Sequence, residues 1–278
     1  MKKLLTLALV ALVSATTFAG RPSPKIEAIN QATDDLSKLY EDINELMSVH
    51  DVTAYLEIGV ESLDRVYGLA YDNDMIATLF GTVGLNDYLS LDVFSLYNLE
   101  SGDNKFVDIG PTLTITDEKW YEFTLGYVYE INTQHDSQDY QYVNASAGMP
   151  GIPLSPKLKC EWELYAERGA LYYQLEVGHE FEHVYEHDSF GAGLALNASF
   201  GYGNSIRNRY DSNSDGHGFK DMQLTLSIPC DFGEGIRLTP FVRYIEQMSR
   251  EMREAARAVN HNGNSWQVTV GAFIGIGF

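Results

Sequence analysis

From residue 52 to the end, side chains alternate in character every second residue, and no other feature restricts the fold of this chain as sharply. Residues 264–278 show it best. Trp266, Val268, Val270, Ala272, Ile274, Ile276 and Phe278 fall on one face, while Gln267, Thr269, Gly271, Gly275 and Gly277 fall on the other, with Phe273 the one large exception. Strand side chains alternate faces, so this stretch is a strand with one apolar face and one small or polar face. Residues 119–131 repeat the pattern: Tyr121, Phe123, Leu125, Tyr127, Tyr129 and Ile131 oppose Glu122, Thr124, Gly126, Val128 and Glu130. Residues 169–181 do so again, with Leu171, Tyr173, Leu175, Val177 and Phe181 against Tyr172, Gln174, Glu176, Gly178 and Glu180. In a soluble sandwich such strands would need one face fully wet.

A terminal strand of this kind ending on an aromatic resembles the closing strand of a bacterial outer-membrane β-barrel. The resemblance implies that Phe278, with Ile276 and Ile274 at alternate positions before it, is the signal for assembly of the barrel. Twelve segments read as strands: 52–60, 75–83, 88–97, 105–116, 119–131, 138–147, 157–166, 169–181, 190–203, 217–230, 235–245 and 264–278. An even number is what single-chain bacterial barrels have. Loop lengths agree with both chain ends lying in the periplasm. The three longest connections (61–74, 203–216 and 246–263) fall on the outer side, and the turns at 84–87, 116–119, 148–156, 182–189 and 231–234 fall on the inner side. With 18 Tyr and 13 Phe, many near strand ends, the chain can furnish aromatic girdles.

The remainder of the chain is consistent with export. Residues 1–19 read as a signal peptide: Lys2 and Lys3, an apolar core from Leu4 to Ala15, then Thr17-Phe18-Ala19, with no Cys following to take a lipid anchor. No later run reaches the roughly 18 apolar residues of a transmembrane helix, so a membrane location requires a barrel. The formal charge is −20, and loss of Lys2 and Lys3 takes it to −22, which excludes binding to a nucleic-acid backbone. Cys160 and Cys230 fall on strands that are not neighbours, both facing lipid, so two unpaired thiols are expected. Residues 25–50 carry Ile29, Ala32, Leu36, Leu39, Ile43, Leu46 and His50 at 3-4 spacing, which is an amphipathic helix with a narrow seam. It either pairs with copies of itself, making a homo-oligomer, or docks against or plugs the barrel. The divisions are thus 1–19 leader, 20–50 helix and 51–278 barrel.

The second half, from Tyr140 through Pro153-Leu154-Ser155-Pro156 and Leu238-Thr239-Pro240-Phe241 to Phe278, resembles short porins of the TorF type over roughly residues 120–278. The resemblance is one of strand pattern. It implies a barrel and carries over no functional residue.

The inward face holds the candidate site residues. It carries Glu57, Asp92, Asp108, Glu122, Glu130, Glu161, Glu163, Glu176, Glu180 and Asp221 against Lys159, Arg237 and Arg243. So many carboxylates cannot all be paired with so few bases, and unpaired charge in a dry interior is very costly, so the lumen is expected to be wet. Twelve strands lie between filled and open barrels, which points to a narrow channel whose acidic lining favours cations or neutral solutes. Glu161 and Glu163 with Lys159, Arg237 and Arg243 could form a constriction or a solvated wall; a closed, non-conducting barrel is the alternative.

Three further motifs compete. His187-Asp188-Ser189 places a base two residues from a nucleophile, as in an outer-membrane phospholipase, but in an inner turn and with no third group to orient the His. Asp211, Asn213, Asp215 and Gly216 open like a calcium loop, yet its twelfth position is Met222 rather than Glu. Arg250, Arg253 and Arg257 repeat at helical spacing; they could meet lipopolysaccharide phosphates or narrow the mouth, and Glu246, Glu251 and Glu254 could instead pair with them. The overall reading is an all-β, closed antiparallel transmembrane barrel of about twelve strands acting as a channel, with no cofactor or metal. Its partners are outer-membrane lipid, lipopolysaccharide and the barrel-assembly machinery.

Overall fold

The computed structural model describes residues 53–277 apart from 63, 67–68, 73, 118, 134–138, 188, 213–215, 234 and 260–262. The leader, the helix expected at 25–50 and Phe278 lie outside the described residues. The strands are β1 (Thr53–Glu61), β2 (Asp64–Val66), β3 (Leu69–Asp72), β4 (Ile76–Gly84), β5 (Leu89–Asn98), β6 (Asn104–Asp117), β7 (Tyr121–Asn132), β8 (Tyr140–Gly148), β9 (Lys157–Glu163), β10 (Leu171–His187), β11 (Phe190–Gly203), β12 (Gly218–Ser227), β13 (Cys230–Asp231), β14 (Ile236–Gln247) and β15 (Trp266–Gly277). Two short helices, α1 (Ser205–Ser212) and α2 (Arg250–Val259), sit in the last two outer loops.

The sheet is closed and antiparallel. Each stave pairs with its neighbours in sequence, β10 pairs with β11, and the first and last staves join from Tyr55↔Gly277 to Glu61↔Gly271. The barrel has twelve staves, because β2 and β3 form a separate hairpin in the first outer loop and β13 continues the stave of β12. The break before β13 has a local cause: Pro229 has no N–H to donate. Its carbonyl still accepts from Gly193 N at 2.8 Å, so β11 stays attached across the gap.

The alternation read from the sequence is the alternation of the wall. Outward residues form an apolar belt, with Phe123, Leu125, Leu158, Trp162, Val268 and Val270 about half exposed. A belt of this extent has no place in water, and a closed barrel satisfies every ladder hydrogen bond within itself, so the belt faces lipid. No described helix is long and apolar enough to cross a membrane. Cys160 and Cys230 are free, as expected.

Three boundaries differ from expectation. The turn expected at 182–189 is strand almost throughout, because β10 runs on to His187; a bulge between Phe181 and Tyr185 shifts the alternation and hides the continuation. Conversely, the strand expected at 157–166 ends at Glu163, and that at 217–230 ends at Ser227 before the proline. Inner turns are short. In the turn after β13, Gly233 and Gly235 take φ of 74° and 75°, the left-handed conformation that a side chain disfavours.

Candidate functional site

Inside a barrel the wall is concave, so inward side chains two staves apart can meet. Several do. The Tyr142 hydroxyl on β8 donates to Asp108 on β6 at 2.7 Å, Lys157 on β9 meets Glu122 on β7 at 2.7 Å, and the Tyr172 hydroxyl on β10 donates to Asp221 on β12 at 3.0 Å. Gly201, between the last two, is required by that contact: a Cβ there would lie 2.3 Å from Asp221 Oδ1 and 2.4 Å from the Tyr172 hydroxyl.

One side of the interior is a polar cavity of about 650 Å³, lined from β7 to β12 and by Arg243 of β14. Its charged groups are matched. Lys159 meets Glu176 at 2.7 Å, and Arg243 lies 3.4 Å from Glu61 while its Nε donates to Thr225 at 3.1 Å. Glu161 is ion-paired with Arg207, which is 5% exposed and comes from α1. Asn204 sets that helix in place. Its Oδ1 accepts from Arg207 N at 3.0 Å and Leu171 N at 3.1 Å, and its Nδ2 donates to Gly169 O at 2.8 Å, so one N-cap residue fastens α1 to β10 and turns Arg207 into the lumen.

The other expected pore-lining groups are spread along the wall. Glu57 accepts from Tyr55, and Asp92 accepts from Thr82 and Ser90. Asp108 and Glu130 face each other across β6 and β7, near Glu161 and Glu163 at the outer end. Glu163 is 3% exposed and accepts from Gln141 N, Tyr165 N and Ala166 N, so it caps the loop after β9 rather than facing the cavity. Arg237 pairs with Glu180 at the inner end, with Asp231 at 3.7 Å.

The constriction sketched from sequence is therefore redrawn. Glu161 is matched by Arg207, while Glu163, Arg237 and Arg243 have other partners. The premise that bases are too few also changes, because Lys157, Lys220 and Arg207 join them inside, although carboxylates still outnumber bases there. Lys220 is fully buried over the Tyr172 ring. The signal missed for Arg207 was Asn204-Ser205-Ile206-Arg207, a good cap followed by a helical turn.

At the outer mouth, α2 contacts α1, β3 and β14, with Met252 and Ala256 fully buried. Its arginines are partly matched: Arg250 meets Glu254 at 2.9 Å, and Arg253 donates to Gln247 O at 2.9 Å. His187 and Ser189 lie at the inner end, where both line a second pocket with Glu182, Glu186 and Asp231. Asp188 lies outside the described residues, as do Asn213 and Asp215 of the calcium-like loop. No group of residues suited to a metal ion occurs among the described residues.

No family model matches the sequence, and no curated protein matches it. Solved structures do match. LpxR from Salmonella typhimurium is similar with a TM-score of 0.51 and 8% identity, over 81% of this chain and 100% of that one. The chain is a bacterial outer-membrane β-barrel. Fold likeness, the apolar belt and the loop asymmetry all agree on this; at that identity the likeness speaks to fold alone. The NanC porin gives a TM-score of 0.49 with 13% identity, over 81% of this chain and 98% of that one. An outer membrane channel from Pseudomonas putida F1 gives 0.44 with 11% identity, over 82% and 95%.

Proposed function

We propose that this barrel is a narrow, porin-like diffusion channel for small hydrophilic solutes, with a preference for cations over anions. The observation that carries the reading is the polar cavity inside the wall. A barrel built only as a scaffold would fill its interior with packed side chains, whereas here amides, hydroxyls and ion pairs surround about 650 Å³ of space. In this reading Lys159, Glu161, Glu176 and Arg243 line the narrow part. The excess of carboxylates over bases on the inward face gives the lumen a negative field that draws cations in. Ile274, Ile276 and Phe278 serve assembly, and the segment at 25–50 either oligomerises the protein or plugs it. Lipid and lipopolysaccharide surround the belt.

Planar-bilayer recording of the refolded mature protein in a salt gradient tests the proposal. Discrete conductance steps with a reversal potential on the cation side are expected. Folded barrels that stay silent under all voltages would contradict it. A second reading, a barrel closed at rest, is favoured by the buried Arg207–Glu161 pair and by α2 lying against α1 and β3. It predicts silence in the wild type and steps in Arg207→Ala.

A further inference from the structure

We propose that the cavity bounded by β7 to β12 binds an uncharged polyhydroxylated solute, of the size of a mono- or disaccharide. This names a substrate class for the channel reading and rests on that reading for its biological role, though the binding itself does not depend on conduction.

The first observation concerns charge. The bases around the cavity face carboxylates: Lys157 with Glu122, Lys159 with Glu176, Arg207 with Glu161 and Arg243 with Glu61. Paired groups offer little to an ionic ligand, since each such ligand would have to displace a partner already in charge-assisted contact. An anion or cation can be steered through the lumen by its field, yet it finds no dedicated site in this cavity.

The second observation concerns the groups left over. Asn144, Ser146, Gln174, Asn197, Ser199 and Thr225 project into the same space. An amide offers two donors and two acceptor positions, and a hydroxyl offers both kinds. Four of the six spend only part of this capacity internally: Ser146 bonds Thr124 at 2.7 Å, Gln174 donates to Ser199 at 3.2 Å, and Thr225 accepts from Arg243. The side-chain amides of Asn144 and Asn197 make no hydrogen bond among the described residues. Mixed donors and acceptors with no net charge are the complement of a sugar's hydroxyls.

The third observation concerns placement. Strand register sets the groups at adjacent levels of one wall, with Ser146↔Lys159↔Gln174 in one row and Glu176↔Ser199 in the next. Asn197 stands opposite Gly178, and a Cβ at that glycine would lie 1.8 Å from Asn197 Oδ1, so the glycine clears the amide's position. The cavity, about 650 Å³, falls in the size range of small-molecule sites, roughly 300–1,000 Å³. An apolar ligand would leave these groups unsatisfied and is excluded on that ground.

The test is saturation-transfer NMR on the refolded mature protein with glucose, sucrose and lactose as probes, and spermidine and citrate as charged controls. Saturable binding of at least one sugar at millimolar concentration is expected, with neither control binding as tightly. Asn144→Ala combined with Asn197→Ala is expected to weaken it about fivefold, as the loss of roughly one hydrogen bond does; Gln174→Ala reports the same loss from the neighbouring stave. No saturable sugar binding, binding unchanged in these variants, or tighter binding of a charged control would overturn the proposal. Sugar binding by a silent barrel would uphold the site and defeat the channel; conduction without sugar binding would do the reverse.

Discussion

The two sides of the barrel interior are built by opposite rules. From β14 through β15 and β1 to β6, the inward face carries rings that pack on one another. Phe241 stacks on Phe273 with centroids 5.0 Å apart, Phe94 lies 5.9 Å from Phe106, and Tyr55 lies 6.3 Å from Phe80. From β7 to β12 the same face carries amides, hydroxyls and ion pairs around open space. Both sides show one outward apolar belt and one period of two. Alternation therefore specifies the barrel, and the identity of the inward residues specifies whether a stretch of wall is filled or wet.

Glycines serve the two sides differently. On the filled side they seat rings: Gly271 lies under Phe241 and Gly275 under Tyr55, with a Cβ at either position falling within 2.6 Å of the ring atom or hydroxyl. On the wet side they clear space for polar contacts, as Gly201 does for Tyr172 and Asp221 and Gly178 does for Asn197.

Five substitutions probe this contrast. Phe241→Ala is expected to have the largest effect, about 3–5 kcal/mol lost because a packed ring leaves a void, measured by urea unfolding of the refolded barrel. Ser199→Ala on the wet side should change stability by less than about 0.5 kcal/mol, and an equal loss at both sites would erase the distinction. Glu161→Gln comes next. Removing one partner of a buried pair costs about 3–5 kcal/mol, here borne locally by the seating of α1, so trypsin should cut after Arg207 in the variant and spare it in the wild type. Gly271→Val should cost about 1–3 kcal/mol through overpacking against Phe241, read as a lower urea midpoint. Lys159→Gln should shift stability by about 0–1 kcal/mol, since the pair with Glu176 is partly exposed, while releasing a carboxylate and raising cation preference in a salt gradient.

Much of the fold was legible because alternation is a long-range signal repeated twelve times. The β7 segment, with six large apolar residues facing Glu122, Thr124, Gly126, Val128 and Glu130, could be assigned a face residue by residue. The signal failed where the phase changed. The bulge between Phe181 and Tyr185 made the end of β10 look like a turn, and Pro229 ended β12 early. The candidate site was less legible. Glu161, Glu176, Lys159 and Arg243 line the cavity, but the partners of Glu161 and Arg243 lie in a loop or two staves away, that of Lys159 sits diagonally on the next stave, and strand parity says nothing about which contacts form. Arg207 was missed for the same reason, since it enters the lumen from a helix in an outer loop. Glu163 satisfied parity and still proved to be a loop cap, because backbone N–H groups beyond the strand end claimed its carboxylate first.

The most direct measurement is thiol reactivity on the two sides. With Cys160 and Cys230 replaced by Ala, Ser199→Cys and Leu96→Cys would each be treated with a membrane-impermeant maleimide in folded protein reconstituted in lipid. The account predicts prompt labelling at position 199 and labelling at position 96 only after unfolding. Protection at 199 in the folded barrel, or equal reactivity at both positions, would contradict the wet cavity on which the proposed channel depends.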